Sequence, residues 1–506
     1  MARTSPIHSL HVEREASLAI YGPPAESAAA PSSLGPSSEQ ILVVETFGRI
    51  ELEYAALRRG CVLLDLPHRG VLLVTGQDRL DFLNRMLTQD LRPAAFPTNA
   101  AARSFVLNRK GRVDADLLLA NLASRPWGEA NKAGVNSGDG VVLLDVDIHA
   151  ASRAAAALRS YIVMDDAEII DFSERLHRFA LHGPTSLDLL ERLADATPGA
   201  RSAAGEDEEE IDTSPIAPLR TGEMKAITFD FTPPKSAAPA RVVAIRADTT
   251  GEIGVELFVP VEAALAFHER ALEIAPPFPI DGELEIGEEG AGLERAIRGV
   301  EASSSDAARI HLKPAGWHAF NIARIEAGTP LYNIDFGPES LPNETGVLAS
   351  RVSMTKGCYL GQEVVARMHA RGAMKQTLVA LKFPPLPPSP SLPPMSVPSI
   401  DVPSPPPPTA SMAQPHLPMA GDALFPAENS AKSARGGAGA VGTITSSTVS
   451  PMLGAAPIAL AQVKATHTSA GTRLATLAAE ANDETPTIGD VQATLRFWPA
   501  SNGTRS

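Results

Sequence analysis

The chemistry easiest to read from this chain belongs to a thiol. Cys358 stands in the run Lys356-Gly357-Cys358-Tyr359-Leu360-Gly361-Gln362-Glu363, which continues Val364-Val365-Ala366-Arg367-Met368-His369-Ala370-Arg371-Gly372, and it is one of two cysteines in 506 residues. From Leu360 onward the apolar residues Leu360, Val364, Val365 and Met368 recur at helical spacing, and Arg367, His369 and Arg371 gather before Gly372 offers a left-handed stop. The pattern predicts a loop running into a helix, with Cys358 just ahead of the helix start. A thiolate there faces unpaired backbone N–H groups and the positive end of the helix dipole, with Lys356 two residues away, a setting that suits a nucleophile. The plain alternative is a small, buried, inert cysteine. Gly357 and Gly361 would let a backbone or ligand approach closely, and an apolar core does not favour a lysine. A second group of candidates is acidic. Asp116 alternates with Leu117, and Glu252 and Glu256 fall in Thr250-Gly251-Glu252-Ile253-Gly254-Val255-Glu256; on pattern alone the two glutamates read as exposed strand carboxylates, while for Asp116 a solvent-facing strand position and a site position stand about equal.

The elements that must position these groups are legible in pieces. Gly70 to Gly76 reads as a buried strand, and Leu80, Leu83 and Leu87 after Asp78 as an amphipathic helix. Residues 104–107 and 114–119 form two predicted strands joined by a tight turn at Asn108-Arg109-Lys110-Gly111. Another strand pair, 241–246 and 254–259, crosses Asp248 to Glu252 and leads into a helix at about 261–274. Residues 440–445 and 458–465 are short β-like runs. Strands and helices come in runs without strict alternation, so the fold class expected is α+β.

Length bounds the chain to two or three domains. Residues 1–40, rich in Ala, Ser and Pro, read as a disordered tail. An acidic loop is expected near 196–216, around Glu206 to Glu210. Residues 384–418 hold 15 of the 44 prolines, a density that neither helix nor sheet accommodates. With the Ser and Gly that follow, 384–438 reads as a disordered insertion, a spacer more simply than a docking site. That leaves 41–383 as the main folded part and 439–500 as a C-terminal β-rich domain. The formal charge of −15 argues against direct nucleic-acid binding. No apolar run reaches membrane-spanning length, and no signal-peptide pattern opens the sequence. Two cysteines about 300 residues apart are no disulfide framework, which makes a cytoplasmic location the simplest expectation. No Cys-x-x-Cys or paired-His spacing predicts a metal site.

The run from Lys356 to Gly372 resembles the signature of YgfZ-type folate-binding proteins, relatives of the glycine-cleavage T-protein (GcvT-like aminomethyltransferases) that are tied to iron–sulfur cluster assembly and repair. Other segments carry the same resemblance. Asn108 to Asp116 looks like the superfamily's folate-contacting hairpin, and Thr250 to Glu256 like its TGExGxE segment. Residues 324–330 look like RIEAGxP, and residues 441–446 and 457–461 like the VGxxTS and PIALA elements of a C-terminal barrel. The resemblance covers about 41–380 and 420–480. It implies a three-lobed ring with tetrahydrofolate at its centre, a C-terminal β-barrel domain and disordered insertions.

A pterin presents N3–H and a 2-amino group that one carboxylate can accept in two parallel bonds. The resemblance gives that role to Glu252 or Glu256, with Glu256 preferred because it falls inside a strand. Asp116 would lie near the N5 to N10 edge, where a carboxylate can stabilise a cationic one-carbon adduct. Where relatives of this type can carry tryptophans at the folate site, this chain has Arg69 and Phe320, which would stack through a guanidinium plane and a phenyl ring. Trp317, three residues before Phe320, is expected to pack in the core, as is Cys61. The function implied is a tetrahydrofolate-binding factor that assembles or repairs iron–sulfur clusters through Cys358, with client enzymes or assembly proteins as partners. Two alternatives stay open: a folate-dependent aminomethyltransferase, and a non-catalytic scaffold.

Overall fold

The computed structural model describes residues 3–22, 40–127, 140–195, 214–233, 238–275, 310–372, 374–385, 417–429, 439–476 and 487–497. They fall into two compact units, one formed mainly by Met1–Pro279 and Asp306–Met374, the other by Lys375–Phe497.

The larger unit is built on two sheets. Strands β4 (Arg69–Thr75), β5 (Ala101–Leu107), β6 (Val113–Leu122), β7 (Val141–Asp147) and β8 (Glu168–Asp171) form one, in the order β5-β6-β7-β4-β8. The other contains β3 (Cys61–Asp65), β9 (Leu176–His182), β10 (Ala226–Phe231), β11 (Ala240–Arg246), β12 (Gly254–Pro260) and β13 (Leu312–Ala315), in the order β10-β11-β12-β9-β3-β13. Every pairing is antiparallel except that of β13 with β3.

Because side chains alternate along a strand, each sheet has two faces. Val71, Leu73, Leu118 and Ala120 of the first sheet share a core with Val243, Ile245 and Phe258 of the second, so the two sheets meet face to face. Behind the first sheet, Leu72, Val74, Leu117 and Leu119 pack with Phe82 and Leu83 of the helix Arg79–Met86 and with Ala150, Ala154 and Leu158 of Ile148–Arg159. Behind the second, Cys61, Leu63, Phe179 and Leu257 pack with Leu189, Leu190 and Leu193 of Ser186–Asp195 and with Phe267 and Ala271 of Ala264–Ile274. The layers therefore run helix, sheet, sheet, helix. Each fully buried Leu or Phe contributes about 1.5–3 kcal/mol over an exposed one, and both faces of both sheets are filled this way. No helix among the described residues is long and apolar enough to cross a membrane.

The hairpin turn after β5 receives another element. Gly111 has φ +72°, and a Cβ there would stand 2.7 Å from the Cβ of Val364. Val364 lies in the helix Gln362–Arg371, whose ends are set by left-handed Gly361 and Gly372. Glycine is thus required in the turn both by conformation and by the helix seated against it.

The smaller unit is a closed barrel of β14 (Gln376–Lys382), β15 (Ala423–Pro426), β16 (Gly442–Ser450), β17 (Ala456–Lys464), β18 (Arg473–Thr476) and β19 (Thr487–Val491), in the order β14-β17-β16-β15-β18-β19. Pairing of Leu381 with Val491 closes it, around Val379, Leu381, Leu424, Ile444 and Leu474. Two boundaries read from sequence need correction. The barrel is not confined to 439–500, because β14 precedes the proline-rich stretch. Nor is 384–438 wholly an insertion: β15 lies inside it, with Leu424 and Phe425 buried. A strand of four residues, introduced by the Met419–Asp422 turn, is lost in the surrounding composition. Residues 386–416 lie outside the described residues, as do 196–213 of the acidic loop.

The tail also needs correction. Within 1–40, the helix His8–Glu13 and strand β1 (Ser17–Tyr21) are formed, and β1 pairs with β2 (Ile41–Thr46). Ile7 is fully buried in the core behind the second sheet, and Arg3 donates to the carbonyls of Pro67 and Ser173. The Ala/Ser/Pro average over 1–40 is dominated by residues 23–38, which hides the apolar positions of these two short elements. Residues 23–39 lie outside the described residues.

Candidate functional site

The layer between the two sheets is apolar along most of its length and ionic at one end. The strand register shows why. Leu118 pairs with Arg103 on one side and Asp145 on the other, Val71 pairs with Asp145, and Arg69 with Asp147. With a period of two, Arg69, Arg103, Asp116, Asp145 and Asp147 therefore share the face of Val71 and Leu118 that looks at the second sheet. From that sheet, Phe258 pairs with Arg178 and Glu256 pairs with Ala180, which brings Arg178 and Glu256 to the same layer.

These groups bind one another. Arg178, 1% exposed in its side chain, reaches Asp145 Oδ1 through Nη1 (2.5 Å) and Glu256 Oε2 through Nη2 (2.7 Å), with its guanidinium carbon 3.8 Å above the centre of the Phe258 ring. Arg69 donates to both oxygens of Asp145, at 3.3 and 2.8 Å. Arg351 donates to Asp116 Oδ1 at 3.0 Å. Burial works against the charge of Arg69, but Asp145, with Asp147 and Tyr21, holds its pKa above the ordinary arginine value. Tyr21, brought by β1, donates to Asp147; burial, followed by Asp147, raises its phenol pKa. Tyr21, Arg69 and Arg103 are surrounded by protein yet keep partial solvent exposure. They stand at the ionic end of the layer and remain reachable from solvent.

The structure thus brings together Arg69, Asp116 and Glu256 of the residues singled out from sequence. Phe320 lies at the margin of this group, 5.8 Å from His182 and 5.5 Å from Trp317 between ring centres. His182, whose pKa is lowered by burial, feels the charges of Glu256 and Arg103. The cavity against Phe320 and Trp317, also lined by Val43, Leu64 and His68, has a volume of about 10 Å³, room for one water. It does not take a pterin. Glu252 is held elsewhere: Arg58 donates to it at 3.0 Å and also binds Glu326, which accepts from Tyr54 at 2.7 Å.

Sequence reasoning missed Asp145, Arg178, Arg351, Arg103 and Asp114. Arg178 had a signal, a charge inside the otherwise strand-like run Leu176–His182 whose burial is complete, since an arginine in a buried strand needs a partner. Asp114, two residues before Asp116 at the point where β6 shifts register against β5, accepts from Asn108 Nδ2 at 3.1 Å. Burial raises its carboxyl pKa.

Cys358 lies apart from the ion network. It is exposed, whereas Cys61 is fully buried and its thiol is pushed up to about 12 by burial. Lys356 is not a companion of the thiol. Its side chain is buried, and Nζ donates to the carbonyls of Asn84, Leu87 and Gln89 at 2.6, 2.7 and 2.7 Å. The segment leaves the ion network at Arg351, is pinned by Lys356 and surfaces at Cys358. The following helix begins at Gln362. Among the described residues no cluster of three or more His, Cys, Asp or Glu is placed to hold a metal ion.

Residues 39–281 match the family model of the GCVT N-terminal domain; the run from Lys356 to Gly372 lies beyond that match. An aminomethyltransferase of Caldanaerobacter subterraneus subsp. tengcongensis is 25% identical over 337 residues, 67% of this chain and 70% of the relative. One from Thermoanaerobacter sp. (strain X514) is 23% identical over 343 residues, covering 67% and 71%. Among solved structures, the glycine cleavage system aminomethyltransferase T from Bartonella henselae superposes with a TM-score of 0.61 at 17% identity, over 97% of each chain. The chain carries a match to the GCVT N-terminal domain at residues 39–281 and has the fold of the GcvT-like aminomethyltransferase superfamily.

Proposed function

We propose that the chain binds tetrahydrofolate in the cleft of Arg69, Asp116 and Glu256 and acts on the one-carbon unit it carries, as an aminomethyltransferase-like enzyme. The observation that carries this reading is the state of Glu256. Arg178 engages Oε2 and fixes the carboxylate, while Oε1 has no partner among the described residues and is not among the sealed polar atoms. An oriented, reachable carboxylate in an enclosed place suits the paired N–H donors of a pterin. Bound there, a reduced folate would supply N5 and N10 as carriers of the one-carbon unit. Asp116, fixed by Arg351 through Oδ1 alone, keeps Oδ2 for a cationic adduct. Asp114, whose carboxyl pKa is raised by burial, stands two residues before Asp116. Arg69 is oriented by Asp145 and offers a guanidinium plane; Phe320 supports the margin. The names of the relatives favour this reading over an iron–sulfur role. Calorimetric titration tests it. Tetrahydrofolate should bind the wild type, and Glu256→Gln should weaken binding about ten- to hundredfold, as expected for one charge-assisted pairing. Equal affinity in both proteins would remove Glu256 from the site.

A second reading rests on Cys358. A lone exposed thiol, on a segment that runs from Arg351 in the ion network to the surface, supports the YgfZ-type role of assembling or repairing iron–sulfur clusters in cytoplasmic client enzymes. Limiting iodoacetamide at neutral pH should then mark Cys358 before Cys61, because burial closes off the latter. Cys358→Ala should fold normally yet fail to restore iron–sulfur enzyme activity in cells lacking the endogenous factor. Full rescue would leave Cys358 without a role in this reading.

A further inference from the structure

Arg103 is the charged residue of the cleft that the preceding account does not use. It projects from β5 into the layer between the sheets, opposite Leu118. Its neighbours are committed: Arg351 to Asp116, Arg69 and Arg178 to Asp145, and Arg178 also to Glu256. Among the described residues Arg103 touches no carboxylate. Its one hydrogen bond to the described residues runs from Nη2 to Thr249 Oγ1, at 3.2 Å, although a guanidinium has five N–H donors. None of its nitrogens is among the buried atoms left without a partner, so the unused donors face reachable space. Burial, followed by the charge of Arg351, lowers its pKa to about 10, which still leaves it protonated at neutral pH.

Keeping an unpaired guanidinium in such a place is costly, because burial penalises a charge that nothing compensates. A ligand that brings the missing anion removes the cost. We propose that Arg103 is a carboxylate-binding subsite of the cleft, whose free N–H fork takes a carboxylate of the bound ligand. A carboxylate fits better than a phosphate. It carries one charge to match one unpaired cation, whereas a dianion would stand against Asp116 and Glu256 as well. The planar fork also matches two carboxylate oxygens. This rests on the folate reading above, and two sources of the carboxylate are open: the glutamyl tail of the folate itself, or a separate small carboxylate bound beside the pterin.

The test compares wild type, Arg103→Gln and Arg103→Lys in calorimetric titrations with tetrahydrofolate, with 6-methyltetrahydropterin, which lacks the tail, and with acetate added to pterin-loaded protein. If the tail is the source, Arg103→Gln weakens tetrahydrofolate about ten- to hundredfold and leaves the pterin unchanged, with Arg103→Lys between. If the carboxylate is separate, tetrahydrofolate and pterin bind as before, and acetate binding to the loaded protein is lost. In either case Arg103→Gln should keep or raise the melting temperature, since it removes an uncompensated buried charge. Unchanged titrations with all three probes, or a large fall in melting temperature, would overturn the subsite while leaving the Glu256 result standing. A wild type that binds neither folate nor pterin would overturn both proposals.

Discussion

The ionic end of the inter-sheet layer and the Cys358 segment differ in how they are made. The first gathers Arg69, Asp116, Asp145, Arg178, Glu256 and Arg351 from six separate elements, and Asp116, Asp145 and Glu256 are each held by an arginine. The second is contiguous in sequence, pinned at one point by Lys356 and exposed at the thiol. A site assembled across strands is rigid and expensive to alter, while a surface loop can change its tip at little cost to the fold. Arg351 joins the two, seven residues before Cys358.

The largest effect that would break this contrast concerns Arg178. Replacing it with Met removes the partner of Glu256 and one of the two partners of Asp145, as well as the stacking on Phe258. Breaking a buried ion pair on one side costs about 3–5 kcal/mol, and Arg178→Met should lose that much in chemical denaturation. A loss below about 1 kcal/mol would mean that the network is loosely held and solvated.

Lys356→Met comes next. Three carbonyls would lose a charged donor, for a cost of about 2–3 kcal/mol. The variant should also change how quickly iodoacetamide labels Cys358, because the pin that sets the segment is gone. Wild-type stability together with unchanged labelling would show that the pin does not govern the thiol.

The smallest effect sharpens the description of the ionic end itself. The Asp114 pKa is raised in the folded protein by burial, so the native state holds this proton more tightly than the unfolded chain. The group therefore costs stability at pH 7, and the cost fades as pH falls through the folded value toward the ordinary aspartate value of about 3.9. Asp114→Asn keeps an oxygen for Asn108 and should raise the melting temperature slightly at pH 7, with the difference closing in acid. A variant less stable at pH 7 would mean that Asp114 serves as a partnered carboxylate.

The same contrast explains what could be read in the sequence. Where signal and structure are both local, the reading holds: β4, the helix after Asp78, the β5–β6 hairpin, the β11–β12 pair and the helix at Gln362 lie where periodicity and glycines put them. Short elements inside biased composition were missed, as with β1 in the Ala/Ser/Pro-rich N-terminus and β15 beside the prolines. The ionic end was only partly legible. Asp116 and Glu256 came from a family resemblance, but their arginine partners depend on strand register, which no local pattern specifies. Lys356 was misread for the opposite reason: nearness to Cys358 in sequence suggested a partner, yet its stem carries the ammonium inward to three carbonyls.

The central claim is that ligand binding belongs to the ionic cleft and not to the thiol segment. Titrating tetrahydrofolate into wild type, Glu256→Gln and Cys358→Ala side by side tests it most directly. The account predicts that Glu256→Gln loses about ten- to hundredfold in affinity while Cys358→Ala binds as the wild type does. Undiminished binding by Glu256→Gln, with loss in Cys358→Ala, would contradict it.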